Sequence, residues 1–148
     1  MREPQFRGIS SDMLHMRIAA ELKRSRPDQD RIASMQSIID QRLETIKNRR
    51  ERRAAKEQEL QEAAVRRMAQ LPSTWRRDVD AVCRERGLQR HHVLSRSRST
   101  RLARARFEIW SRIRSRGRSK NEIGMRFGYD HTSVLHGLRQ VEAEAAGA

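Results

Sequence analysis

Asp130, His131, Thr132 and Ser133 are four consecutive short polar side chains, and three of them have groups that can read a DNA base edge. Thr132 can set its methyl against a thymine methyl, His131 can hydrogen-bond a base edge or a phosphate, and Asp130 can accept from a cytosine amino group. Plainer readings stand beside these: Asp130 as a helix N-cap, which is compatible with a base contact, and His131 as a solvated surface histidine. Ser133 fits a phosphate or capping contact better than base reading. A second stretch, Arg96-Ser97-Arg98-Ser99, places two arginines in a basic loop. Such an arginine beside a docked helix can enter the narrow minor groove of A·T-rich DNA, where the potential is most negative. The plainer reading is a disordered Arg-Ser linker that meets phosphates without sequence preference. Arg101, Arg104, Arg106, Lys120 and Arg139 are further candidates for phosphate contacts, which fix register and affinity without specifying sequence.

These side chains need a frame. Ser119 with Glu122 three residues on is a capping box that starts a helix, Ile123 and Phe127 form its apolar face, and Gly128 stops it. Asp130 caps a second helix whose buried stripe is Val134, Leu138 and Val141. Helix, glycine turn and helix in about twenty residues is the helix-turn-helix pattern, which offers the front of its second helix to the major groove. Upstream, Trp75, Val79 and Val82 mark a helix ending at Gly87, and Gln89 to Leu94 form a short helical turn. After the basic loop, Thr100 to about Ser115 is a longer helix, with Leu102, Ile109 and Ile113 inward and Ala105 or Trp110 on its flanks. Leu71-Pro72-Ser73-Thr74 is the expected domain boundary, because the residue before proline avoids the helical region and Ser73 or Thr74 can cap the next helix.

The N-terminal half is simpler. Residues 1–9 read as a tail, and a helix from Ser10 or Ser11 carries Leu14, Ile18 and Leu22 at four-residue spacing. Pro27 breaks it, and Asp28 caps one long helix to about Gln70. Ile32, Met35, Ile39, Leu43 and Ile46 give that helix an apolar stripe, but Lys47 to Glu59 holds no large apolar residue. Lys47–Glu51 and Arg53–Glu57 are spaced to support it as an exposed helix. Arg42 and Arg49 at heptad d positions argue against a long coiled coil. The expected fold class is all-α. Residues 1–27 form a tail and short helix, residues 28–71 a long and largely exposed helix, and residues 72–148 a small helix-turn-helix domain. The apolar front of the long helix pairs with the residue 11–24 helix or with another protomer, so a homodimer or protein partner through residues 11–70 is an expectation. A solvated linker helix is the other reading.

Phe127-Gly128-Tyr129-Asp130-His131-Thr132-Ser133-Val134-Leu135-His136, with Glu122-Ile123-Gly124 upstream, resembles the signature of the DNA-binding C-terminal domain of the bacterial replication initiator DnaA. That family has Phe-Gly-Gly-Arg-Asp-His-Thr-Thr-Val-Leu-His; here the turn is one residue shorter, with Tyr129 in place of Gly-Arg. The resemblance covers roughly residues 73–142 and implies major-groove contacts by Asp130, His131 and Thr132. Aligned through Ala103-Arg104-Ala105-Arg106, it puts the minor-groove arginine on Arg98, with Arg96 one register away at the phosphates. The function it implies is sequence-specific binding to double-stranded DnaA-box-like DNA, in replication initiation or its regulation. The alternative is a helical scaffold or transcriptional regulator that uses the helix-turn-helix as a DNA anchor.

Charge agrees with a polyanionic partner. The 148 residues carry a net +14 with only 4% aromatics, and lysines and arginines that neutralise phosphates release condensed counterions. The charge is uneven: residues 84–118 hold 12 basic and 2 acidic side chains. RNA binding fits less well, since stacking aromatics are missing around the Arg-Ser segment. Cys83 is the single cysteine and sits on a half-buried helix face, so neither a disulfide nor a CxxC metal site is expected. His91-His92 has no carboxylate or cysteine at ligand spacing in the sequence, so no metal is assigned there. No Gly-x-x-x-x-Gly-Lys-(Ser/Thr) occurs, and no nucleophile–base–orienter set is visible. The chain is therefore expected to be a stand-alone binder without the initiator's ATPase module, not an enzyme, with no nucleotide or other cofactor. No apolar run could span a bilayer or serve as a leader, so a cytoplasmic, nucleoid-associated place with no membrane contact is expected.

Overall fold

A computed structural model describes residues 8–148, which form seven α-helices with no strand among them. The tail expected over residues 1–9 lies mostly outside the described residues. The helices are α1 (Ser11–Leu22), α2 (Gln29–Gln70), α3 (Ser73–Arg86), α4 (Arg90–Leu94), α5 (Thr100–Ser115), α6 (Lys120–Phe127) and α7 (His131–Ala146). Packing divides the chain into two compact units, the first ending at Ala55 and the second running from Lys56 to Ala148. The division therefore falls inside α2 and not at Pro72. The reason is that Ala64 and Leu71 are buried in the core of the second unit.

In the first unit Ser10 caps α1, accepting from the Met13 amide, and Asp28 accepts from the Arg31 amide at the start of α2. Leu14, Met35 and Ile39 are fully buried together, with Ile9, Ile18, Ile32 and Ile38 around them. The rest of the expected α2 stripe is uncovered: Leu43 and Ile46 are 57% and 47% exposed. A twelve-residue α1 is too short to reach them. The expected Lys47–Glu51 and Arg53–Glu57 pairs do not form. Glu57 meets the His91 and His92 imidazoles, which hold its carboxyl below the ordinary range.

In the second unit α5 is the central helix, packing against α3, α4, α6 and α7. Ala105, Ile109, Trp110 and Ile113 face inward along it, so the two residues expected on its flanks are core residues. Trp110 meets Tyr129 edge-on at 5.1 Å, and Trp75 stacks on Phe127 at 6.0 Å. Few aromatics suffice because they are concentrated here. Pro72 occupies the N-cap position of α3 without a side-chain cap, so neither Ser73 nor Thr74 plays that part. Gly87 ends α3 in the left-handed region as expected. Cys83 is buried, and burial pushes its thiol up to about 11, which leaves it an inert packing group.

The helix-turn-helix closes as the capping pattern requires. Ser119 accepts from the Glu122 amide, and Gly128 takes φ 73° so that the chain can leave α6. The Tyr129 amide then returns to the Gly124 carbonyl at 2.8 Å. Gly124 is needed for a different reason: a Cβ there would lie 2.5 Å from the Tyr129 carbonyl oxygen. That contact is backbone, so no side chain can move aside. Gly124→Ala should therefore destabilise the domain by about 1–3 kcal/mol, measured as a lower midpoint in thermal unfolding followed by circular dichroism.

Candidate nucleic-acid interface

The front of α7 is fully formed by local bonds. Asp130 accepts from the Thr132 amide at 3.0 Å and from the Thr132 hydroxyl at 2.7 Å, and His131 Nδ1 lies 3.1 Å from the same carboxylate. These bonds, the Thr132 hydroxyl first, hold the Asp130 carboxyl below its ordinary range. A depressed carboxyl stabilises the helix start above the usual carboxylate range and loses that contribution as pH falls through it. The bonds also settle which part of Thr132 is available. Its hydroxyl is engaged by Asp130, so the methyl is its free contact group. Asp130, His131, Thr132 and Ser133 are all exposed at this end of α7.

The Arg-Ser loop is held in place, not a free linker. Arg106, expected at a phosphate, is instead buried at 5% exposure. Its guanidinium donates to the carbonyls of Val93 (3.1 Å), Ser95 (2.9 Å) and Ser97 (2.5 Å). Burial pulls its pKa below the ordinary arginine value. An arginine so engaged orders the loop and has little left to offer DNA. Tyr129 completes the anchor, its hydroxyl donating to the Ser95 carbonyl at 3.1 Å while Arg96 and Arg106 lie over its ring at 5.8 and 5.7 Å. Arg96 also donates to the Gly128 carbonyl at 2.7 Å. Arg98 is exposed, and no partner among the described residues engages it.

These pieces meet in one open cleft of about 640 Å³, lined by Arg96, Ser97, Arg98, Arg106, Tyr129, Thr132, Ser133 and His136, among others. Loop and recognition helix thus share a surface, although 33 residues separate Arg98 from His131 in the sequence. Lys120 and Arg139 border a second cleft with Ser119 and Asn121. The other two expected phosphate contacts are exposed but partly engaged. Arg101 donates to the Arg86 carbonyl at 3.0 Å, and Arg104 pairs with Glu144 at 3.2 Å.

Residues 79–141 match the family model of the bacterial DnaA protein helix-turn-helix. This segment is similar to a DnaA-type DNA-binding domain. The match spans less than half of the chain and leaves residues 1–78 outside it. No curated protein and no solved structure matches the chain. The DnaA-type domain also extends its support beyond the matched segment. Arg126 donates to the Gln70 carbonyl, and Arg67 of α2 donates to the Arg126 carbonyl while filling the space a Gly128 side chain would need.

Sequence reasoning missed Tyr129 as an anchor and Arg106 as a loop clamp. A signal for Tyr129 existed, since it stands where the DnaA pattern has Gly-Arg, but its partner at Ser95 is 34 positions away. Arg106→Ala should cost about 1.5–3 kcal/mol of stability through the carbonyls it leaves unpaired. Arg106→Lys, with the charge but not the fork, should recover little of it. Arg98→Ala should leave stability within about 0.5 kcal/mol of the parent. Urea unfolding of the three variants separates the clamp from the free arginine.

Proposed function

We propose that this chain binds a specific double-stranded DNA site of DnaA-box type and acts in replication initiation or its regulation. The observation that carries this reading is the shared cleft. It sets the free Arg98 guanidinium beside the exposed Thr132 and Ser133 of the recognition helix. On a duplex, α7 would enter the major groove through Asp130, His131 and the Thr132 methyl, while Arg98 reaches into the adjacent minor groove. Lys120, Arg139, Ser133 and the re-aimed Arg96, Arg101 and Arg104 would meet phosphates. In this reading the chain acts as a binder and not as an enzyme. Among the described residues no helix is long and apolar enough to cross a membrane, and a DNA-binding role places the chain at the nucleoid.

Fluorescence anisotropy at about physiological salt, with a DnaA-box duplex and a scrambled one, tests the reading, because at low salt this cationic chain binds any DNA. A box preference of roughly a thousandfold is expected. Arg98→Ala and Thr132→Ala should each reduce it by about 1–3 kcal/mol. Equal affinity for both duplexes in the parent protein would reject sequence reading.

The first unit supports a further part of the proposal, pairing with a second copy of this chain. Leu43 and Ile46 continue the stripe that α1 covers only as far as Ile39. An identical stripe on a symmetry-related copy is the self-complementary partner a two-fold interface requires. Sedimentation velocity should show a dimer that Leu43→Glu with Ile46→Glu converts to monomer; a parent protein that stays monomeric at about 100 μM, well above micromolar dimer affinities, rejects it.

A further inference from the structure

Glu57, His91 and His92 line neither of the clefts beside α7 and have no part in the reading above. We propose that these three side chains form a binding site for a divalent d-block cation of the zinc type. Sequence spacing gave no reason to expect a ligand set, because the carboxylate comes from α2, 34 residues before His91. Folding nevertheless brings Glu57 Oε1 to 2.5 Å from His91 Nε2, and Glu57 Oε2 to 3.2 Å from His92 Nε2. The three ligand atoms all fall within 4.8 Å of one another. Ligands about 2.0–2.1 Å from zinc stand roughly 3.3 Å apart in a tetrahedron, so modest side-chain adjustment would admit the ion.

Three features favour a cation over a simple ion pair. Both imidazoles aim at one carboxylate with their rings 4.3 Å apart. Two neighbouring imidazole nitrogens facing one carboxylate make a donor set that suits a d-block cation. The ligands are also mounted on fixed supports: Val93 and Leu94 bury the inner side of α4. Finally, His91 is 13% exposed while His92 and Glu57 are 43% and 42% exposed, so a fourth position opens to water. Two nitrogens and one carboxylate select zinc, cobalt or nickel over magnesium or calcium, which prefer all-oxygen shells. The bound ion would clasp the second-unit part of α2 to α4 and stabilise the folded unit by mass action.

The test uses the full chain without a histidine tag, titrated with Zn²⁺ by calorimetry and with Co²⁺ by absorption. One Zn²⁺ per chain at micromolar concentration is expected, with intense Co²⁺ bands of tetrahedral type and a raised melting temperature. Glu57→Gln and His91→Ala should each weaken binding by at least about tenfold, while His15→Ala, in the first unit, should not change it. Glu57→Gln keeps size and hydrogen bonding, so it serves even if His91→Ala perturbs folding. No saturable binding below about 1 mM, an affinity too weak for a built site, overturns the proposal. So does binding that survives Glu57→Gln and His91→Ala undiminished.

Discussion

The Arg106 guanidinium reaches from the middle of α5 into a loop that has no secondary structure of its own, donating to the Ser95 and Ser97 carbonyls there and to the Val93 carbonyl of α4. A loop of alternating arginine and serine has no apolar side chain with which to anchor itself and would otherwise sample many conformations. Charge-assisted bonds from one rigid fork replace the missing core. Because α5 is the helix on which α3, α4, α6 and α7 all pack, the loop is referenced to the whole domain. Tyr129 adds a second tie from the turn of the helix-turn-helix. Arg98 is thereby held beside the front of α7, and ordering that would otherwise be needed on binding DNA is already present.

The arginines divide into two populations. Arg86 pairs with Glu108, Arg90 with Asp80, Arg112 with Glu85 and Glu108, and Arg116 with the buried Asp78. The Glu85 carboxyl is held low and the Arg112 guanidinium high, each first by the hydrogen bond to the other. These cations brace α3 against α4, α5 and the segment after α5. Arg98 and Arg139, by contrast, are exposed beside the clefts next to α7. A uniform basic surface would give affinity for any polyanion. Neutralising one part of the charge internally concentrates the remaining field near the recognition helix.

Much of the architecture is legible in local sequence. Ser119, Gly128 and Asp130 mark the helix-turn-helix because caps and left-handed turns are set by a few neighbouring residues. Thr100 to Ser115 is legible as a helix from the spacing of Leu102, Ile109 and Ile113, and Asp28 marks the start of α2. The differences between expectation and structure share another origin. Trp110 reads as a flank residue because periodicity on one helix does not say how many partners surround it. Leu43 and Ile46 read as covered because the stripe does not state the length of the helix that covers it. Pro72 does interrupt the helix, but where one compact unit ends depends on what Ala64 and Leu71 pack against.

The sequence by itself determined the all-α class, the capped helix pair, the short polar front of α7 and the basic character of the segment before it. All of these depend on residue types at separations of a few positions, where backbone geometry fixes the outcome. Only the tertiary structure decided that Arg106 clamps the loop, that Tyr129 bridges to Ser95, and that Glu57 faces His91 and His92. A guanidinium, a phenol and a carboxylate have several possible partners each, and sequence distance does not rank them. The packing of α5 and of the end of α2 selects one partner set, and for the buried Arg106 leaving the guanidinium unpaired would cost more than ordering it.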